Sequence, residues 1–284
     1  MLLSDLLAPL KITDGFIDTQ ISDIVYDSRM TQPGCVFVCI EGSASDGHDY
    51  AAKAAAAGAK VIIAKHIVDA PGAQVIIVPD TKKALALMSA ALFGEPAKGK
   101  LKVIGITGTK GKTTTAAMIK SILEAAGQKT GTIGTVGVVI GDEVTPLNNT
   151  TPISYEIHKN LRRMADAGCK YCVMEVSSKG LKDDRVYGIP FSIGVFTNLS
   201  EDHIGGVEHK DMDEYLSCKA KLFTMCPIGV VNTDDPSTEK LLENSTCQVY
   251  RYGLNGTGNL HGEGCCHLSQ PGLLGVQFLV SGDL

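Results

Sequence analysis

Gly105-Ile106-Thr107-Gly108-Thr109-Lys110-Gly111-Lys112-Thr113-Thr114-Thr115 is a glycine-rich run between an apolar, strand-like segment (residues 101–104) and a helix-like one (114–126). A turn of this kind aims backbone N–H groups at an anion, and the helix N-terminus adds a partial positive charge. Lys112 is then placed to reach the outer phosphates of a nucleotide, and the Thr113 hydroxyl to reach Mg²⁺. A tight turn with an incidental lysine explains less, because strand, turn, Lys-Thr pair and helix occur together. The spacing departs from G-x-x-x-x-G-K-[ST], which needs glycine at position 106, where Ile106 stands. What remains is a shorter form, Gly108-Thr109-Lys110-Gly111-Lys112-Thr113-Thr114.

Outward from the loop, strand-like and helix-like segments alternate. Strands are expected over 101–104, 130–140, 171–176, 192–199 and 228–232, and helices over 113–126, 154–167, 211–225 and 236–243. This alternation implies a mostly parallel sheet covered on both faces, with ligands at the carboxyl ends of its strands. From Thr246 onward the pattern changes to short strands with glycine turns, a small β extension. Before the loop, residues 24–26, 35–40, 61–64 and 75–78 read as strands, and 50–57 and 81–93 as helices. Gly58 follows the first of these helices as a C-cap residue. Residues 94–100, rich in Gly, Pro and Lys, read as a linker. The expected α/β architecture is thus a small N-terminal α/β domain over 1–98, followed by a P-loop-type, mostly parallel sheet domain over 99–284 with a short β extension.

Composition fits this picture and narrows the function. With 284 residues, two domains are natural, and 44% hydrophobic with 20% charged residues is ordinary for a globular chain. A net charge of −5 gives no global field for nucleic acid or an anionic membrane, so an anionic substrate must be held by local donors. The start, Met1-Leu2-Leu3-Ser4-Asp5, has no basic or long apolar region, and no apolar stretch of membrane-spanning length occurs. No nucleic-acid partner and no membrane insertion are expected. The 9 cysteines, scattered from Cys35 to Cys266, fit reduced thiols in the cytoplasm. Cys169-x-x-Cys172 and Cys265-Cys266-His267 are isolated, so no zinc site is expected from them.

Several chemical groups fall where the sheet's ligand edge should be. Glu175 sits in an apolar run, Cys172-Val173-Met174 before it and Val176 after it. A buried carboxylate needs a partner, and with a phosphate loop on the same sheet Mg²⁺ is the economical one. Satisfaction by backbone or lysine is the other reading. Thr197-Asn198-Leu199-Ser200-Glu201-Asp202-His203 follows another predicted strand, and His203 can act as a metal ligand, although a lone histidine is more often a surface residue. Thr150-Thr151-Pro152 opens a helix at Ser154, where hydroxyls usually cap but can bind a phosphate or carboxylate. On the helix over 211–225, Lys219 and Lys221 both read as solvated, and nothing in the pattern singles out Lys219.

In this order the segments resemble the Mur ligase family, the enzymes that build the peptidoglycan peptide, whose relatives include the folylpolyglutamate synthetases. The resemblance spans essentially the whole chain. It rests on Tyr26-Asp27-Ser28-Arg29, Gly42-x-x-x-Asp46-Gly47, the phosphate loop, Asn149-Thr150-Thr151-Pro152, Glu175-Val176-Ser177-Ser178, Thr197-Asn198-Leu199-Ser200-x-Asp202-His203, Lys219 and Asn232-Thr233-Asp234-Asp235. The first two motifs resemble the branch that adds the third residue, diaminopimelate or L-lysine, to UDP-N-acetylmuramoyl-L-alanyl-D-glutamate.

The resemblance implies roles residue by residue. Tyr26, Ser28 and Ser43-Ala44-Ser45 would contact the UDP part of the substrate. Gly108, Thr109, Lys110, Gly111, Lys112, Thr113 and Thr114 would hold the ATP phosphates, with Asn232 near the adenine. Thr113 and Glu175 would bind one Mg²⁺ and His203 a second. Lys219 matches the lysine that the family carbamylates with CO₂, which makes an amine into a carboxylate-like metal ligand. Asn149, Thr150, Thr151, Ser177 and Arg185 would hold the muramoyl-dipeptide. The implied catalytic groups are Lys112, Lys219 and His203, acting on an acyl phosphate that the incoming amine attacks to give an amide, ADP and phosphate.

The chain departs from the family pattern at four places. Lys179 stands where histidine is common, and Asp183 where a glutamine often contacts substrate. The stretch Ile204-Gly205-Gly206-Val207-Glu208-His209 is longer than the common D-H-x-D-Y-H-G form. The chain also stops at Leu284, so the C-terminal amino-acid-binding domain is expected to be absent, and the chain alone is expected to bind without ligating. The alternatives are another Mur-like ligase and a non-catalytic module that binds ATP and the UDP-precursor. Asp27-Ser28-Arg29 argues against the folate enzyme. Oligomeric state and the choice between diaminopimelate and lysine are not written in these residues.

Overall fold

The computed structural model describes residues 1–42, 45–99, 101–202, 204–205, 208–255, 258–270 and 273–282. By contacts the chain divides into two units. The first comprises Met1–Leu101, Pro152–Gly168 and Lys182–Gly188, and the second Lys102–Thr151, Cys169–Leu181 and Ile189–Leu284. The first break lies close to the boundary read from the sequence, but two later stretches fold with the N-terminal residues.

In the first unit, β1 (Ile24–Val25), β2 (Val36–Val38), β3 (Val61–Ala64) and β4 (Gln74–Ile77) form a parallel sheet in sequential order. Alternation along the strands divides the core between two faces. Val36, Val38, Val61 and Ile63 pack with Leu3, Leu6 and Leu7 of α1 (Leu3–Leu7) and with Leu85 and Met88 of a later helix. Phe37, Ile62 and Ala64 pack on the other face with Ala51 and Ala54 of α2 (Ala51–Ala56). The later helix is α3 (Thr81–Leu92), capped by Asp80, whose carboxylate accepts the Lys82 and Lys83 N–H groups. One of the inserted stretches carries α5 (Ser154–Asp166), which packs against α3. Here α4 (Lys112–Ala125) precedes it in the chain and belongs to the second unit.

The second unit is built on a ten-stranded sheet in the order β14-β13-β12-β11-β10-β5-β9-β6-β7-β8. Its parallel centre contains β5 (Lys102–Thr107), β6 (Thr130–Gly134), β9 (Tyr171–Glu175), β10 (Phe191–Phe196), β11 (Ile228–Asn232) and β12 (Gln248–Gly253). Both edges turn antiparallel. One edge is β7 (Gly137–Ile140) with β8 (Glu143–Thr145). The other is the hairpin of β13 (Leu260–Gln270) and β14 (Leu273–Gly282), with β13 parallel to β12. Ile104 and Ile106 of β5, Val173 of β9 and Val195 of β10 form a core with Ala116 of α4. On the opposite face Gly105 admits Phe191, whose ring carbons would lie 2.8 Å from a Cβ there. Three short helices complete the unit: α6 (Ser178–Lys182), which ends at the boundary, α7 (Met212–Ala220) and α8 (Thr238–Leu242). None of the helices among the described residues is long and apolar enough to cross a membrane.

Three sequence readings change. The strand expected over 130–140 is a hairpin, in which Thr135-Val136 turn the chain between paired Gly134 and Gly137. Glycine at 137 is required by φ +119° and by Thr145 O, which would lie 2.4 Å from a Cβ. The glycine-rich run also starts later than expected, because β5 continues through Thr107 and leaves Gly108–Gly111 as the loop. The helix expected over 211–225 ends at Ala220 and continues as a 3₁₀ turn over Lys221–Thr224.

Candidate active site

The loop between β5 and α4 is held open by contacts that only glycine permits. At Gly108, φ is +147° and a Cβ would lie 2.0 Å from Thr197 Oγ1. At Gly111, the N-cap of α4, φ is +83°. The residues after β10 then fasten the loop. Thr109 N–H donates to Asn198 O (2.8 Å), Lys110 N–H to Asn198 Oδ1 (2.9 Å), and Thr197 Oγ1 to Lys110 O (2.7 Å). Thr109 Oγ1 accepts the Ser200 N–H at 3.0 Å, and Lys110 pairs with Asp202 at 3.0 Å. The segments around Gly108 and Asn198, read separately from the sequence, are therefore one structure. The first N–H groups of α4 have no partner within the helix and face this end of the sheet.

Lys112 folds back over the loop, donating from Nζ to Gly108 O and Thr109 O, both at 2.9 Å. Burial lowers its pKa. Thr113 points the other way and donates to Glu175 Oε2 at 2.9 Å. Glu175 ends β9 at 2% exposure, and among the described residues its hydrogen-bond partners are two hydroxyls and one backbone N–H, so the backbone alternative holds in part. They belong to Thr113 and a residue missed in the sequence, Thr135. Thr135 donates its N–H to Oε1 (2.9 Å) and its hydroxyl to Oε2 (3.2 Å). Gly134 makes room for the carboxylate, since a Cβ there would lie 2.2 Å from Oε1.

Lys219 corrects the expectation of a solvated side chain. It is 1% exposed, donates to Gly108 O at 2.9 Å, and lies over the Tyr215 ring at 4.2 Å from its centroid. Burial first, and then the neighbouring Lys112 ammonium, lower its pKa to about 7. Lys221, two residues on, is exposed. Lys219 lies on the buried face of α7 and Lys221 in the 3₁₀ turn that follows it, a difference the sequence pattern does not reveal.

The threonines before α5 do not cap it. Its N-cap is Ile153, without a side-chain cap. Thr151 is buried and its hydroxyl bridges two backbone groups, donating to Glu175 O and accepting from Ser177 N–H, both at 2.9 Å. Thr150 Oγ1 lies 3.1 Å from Thr135 Oγ1, and Asn149 is exposed. Ser177 Oγ accepts the Gly180 N–H at 3.0 Å, and Asn232 Nδ2 donates to Thr197 O at 2.9 Å. A second missed residue is His209, buried, with Nε2 hydrogen-bonded to Ser178 Oγ at 2.8 Å. Thr114 is exposed on the first turn of α4. His203 lies outside the described residues. Glu175 and Thr113 offer hard oxygen donors beside the glycine-rich loop, a set that suits Mg²⁺.

The first unit holds a separate cavity of about 540 Å³, lined by Tyr26, Ser28, Arg29, Gly42, Ser45 and Lys53 among others. Burial pushes the Tyr26 phenol up to about 12. Asp27 caps the turn at Ser28 and pairs with Arg29 at 2.6 Å. Ser43 and Ala44 lie outside the described residues. The loop carrying Ser45 is pinned by His48, whose Nε2 accepts Lys65 N–H (3.0 Å) while Nδ1–H donates to Asp46 (2.6 Å). Both ring nitrogens are thereby used, so the Glu41, Asp46 and His48 cluster offers no imidazole lone pair to a metal. Arg185 also belongs to the first unit, bonded to Asp183 at 3.1 Å. Asp183, which departs from the family pattern, also accepts from Lys82 at 3.0 Å.

Comparison with known proteins follows the same division. The Mur ligase middle domain matches residues 106–271, and the Mur ligase family catalytic domain residues 20–93. The UDP-N-acetylmuramoyl-L-alanyl-D-glutamate–2,6-diaminopimelate ligase of Clostridium perfringens is 47% identical over 239 residues, 83% of this chain and 49% of the relative. The ligase of the same name from Clostridium tetani is 40% identical over 284 residues, 98% of this chain and 58% of the relative. The chain thus spans about half the length of the relatives it matches. A solved structure of a ligase of that name superposes with a TM-score of 0.83 at 24% identity, covering 98% of this chain and 57% of that one. Its likeness shows the fold.

Proposed function

Because the chain belongs to the Mur ligase family, we propose that it carries the precursor- and ATP-binding parts of an amide ligase of peptidoglycan precursor synthesis. The relatives' name supports UDP-N-acetylmuramoyl-L-alanyl-D-glutamate as the acid and 2,6-diaminopimelate as the amine. The observation that carries the reading is the Thr113 hydroxyl at 2.9 Å from the buried Glu175 carboxylate, beside a loop that already holds Lys112.

In this reading residues 1–98 take the UDP part, with Tyr26, Ser28 and Ser45 lining the first-unit cavity and Ser43 and Ala44 assigned to the same contact by the family resemblance. Residues 99–284 take ATP. The Gly108–Thr114 segment holds the phosphates through Lys112 and the N–H groups at the start of α4, while the Thr109 and Lys110 N–H groups stay on Asn198, and Lys112 exchanges its contacts with Gly108 O and Thr109 O for phosphate oxygens. Asn232 lies near the adenine, and Asn149, Thr150, Thr151, Ser177 and Arg185 hold the muramoyl-dipeptide. Thr113, Glu175, His203 and a carbamylated Lys219 would hold Mg²⁺. Bound magnesium would supply positive charge against the repulsion between two anionic reactants.

The chemistry then follows from charge. The D-glutamate carboxylate attacks the γ-phosphate and ADP leaves, with Lys112 offsetting the charge that develops on the transferred group. The resulting acyl phosphate is open to attack by the amine, which gives the amide and phosphate. Placing the reactants in register supplies much of the rate. Lys219 has a lowered pKa, so its neutral amine, the form that reacts with CO₂, is available near neutral pH. The reaction is placed in the cytoplasm, where ATP is present.

The test is ADP release by the native gene product. ADP formation that requires both the UDP-dipeptide and diaminopimelate supports the proposal. ADP formation indifferent to both, or none at all with both present, contradicts it.

A further inference from the structure

The Thr135-Val136 turn stands where the sequence reads as uninterrupted strand, and it delivers both polar groups of Thr135 to one carboxylate. Thr135 N–H reaches Glu175 Oε1 at 2.9 Å and Thr135 Oγ1 reaches Oε2 at 3.2 Å. Thr113 shares Oε2 at 2.9 Å. The carboxylate is thus gripped at both oxygens, on one side by the first turn of α4 and on the other by the hairpin. Gly134, immediately before, leaves space for the grip that any side chain would fill.

Thr135 also reaches a second group, Thr150 Oγ1, at 3.1 Å. A hydroxyl has one proton, and a carboxylate is a stronger acceptor than another hydroxyl. The Thr135 proton therefore goes to Glu175, and Thr150 donates to Thr135. The chain of donors runs one way, Thr150 to Thr135 to Glu175. Thr150 lies in the segment assigned to the dipeptide, and Glu175 in the set assigned to the metal.

We infer that Thr135 is a positioning residue: its N–H and hydroxyl fix the Glu175 carboxylate for a divalent cation and tie that carboxylate to Thr150. The inference rests on the proposed nucleotide and metal reading of this site. Thr135 touches neither reacting atom, so its effect is read through the metal.

The experiment measures how much Mn²⁺ raises the affinity of this chain for a non-hydrolysable ATP analogue, by calorimetry with and without the ion. Thr135→Val keeps the backbone N–H and the branched shape but removes the hydroxyl. Thr135→Ser keeps the hydroxyl. The expected result is an Mn²⁺-dependent gain reduced about tenfold in Thr135→Val, the size of one hydrogen bond to a charged group, and largely restored in Thr135→Ser. An unchanged gain in Thr135→Val, or an equal loss in both variants, overturns the inference and leaves the nucleotide reading standing. No Mn²⁺-dependent gain in the unmodified chain is the failure of the nucleotide reading itself, and the inference falls with it.

Discussion

The ammonium of Lys219 lies 2.9 Å from the carbonyl oxygen of Gly108, a residue 111 positions earlier in the chain. The same carbonyl accepts from Lys112 at 2.9 Å. Burial disfavours charge on Lys219, and the second ammonium on the same oxygen, that of Lys112, adds to it. That is why Lys219 has its pKa lowered to about 7.

A consequence can be measured by carbon NMR with labelled CO₂. At fixed dissolved CO₂, carbamate on Lys219 is expected to increase as pH rises through about 7, because only the neutral amine reacts. Lys219→Ala should remove the signal, and in the ligation assay it should lower the rate without rescue by bicarbonate. Full ligation by Lys219→Ala would remove the carbamate role.

Gly134 is predicted to be intolerant of any side chain. A Cβ would stand 2.2 Å from Glu175 Oε1, so either the carboxylate or the hairpin must move. Overpacking of this kind costs about 1–3 kcal/mol. Urea unfolding of Gly134→Ala should show that loss, together with weaker Mn²⁺ binding. A variant as stable as the parent would mean that Glu175 is not held where it is described.

His158 on α5 gives a pH dependence independent of the site. It is 2% exposed, and neither ring nitrogen has a hydrogen-bond partner among the described residues. Burial lowers its pKa from the ordinary 6.5 to about 4. Between those values the unfolded chain binds the proton and the folded one resists it, so stability falls as pH drops from 6.5 toward 4. The loss amounts to about 3 kcal/mol at the acid end. His158→Leu should flatten this part of the stability curve measured by chemical denaturation. An equally steep curve in the variant would place the acid sensitivity elsewhere.

The sequence made some of these groups visible and hid others. Gly108, Lys112 and Thr113 are readable because their spacing is itself the geometry. Glu175 is readable because a carboxylate amid Val173, Met174 and Val176 is anomalous. Thr135 was hidden by its neighbours, since a two-residue turn in β-prone sequence looks like strand until pairing is known. Lys219 and Lys221 are chemically alike, and only the packing of α7 buries one of them. Thr151 read as a helix cap because hydroxyls before helices usually are. Its hydroxyl instead joins Glu175 O to Ser177 N–H across a chain separation that no local pattern encodes.

The most direct test of the central claim is calorimetric titration of the chain with a non-hydrolysable ATP analogue and Mg²⁺, beside the variant Lys112→Ala. The expected result is saturable binding by the unmodified chain and its loss in the variant, because Lys112 carries the ammonium placed for the outer phosphates. Equal affinity in the two proteins, or no binding by the unmodified chain, would contradict the assignment of Gly108–Thr114 as the phosphate loop.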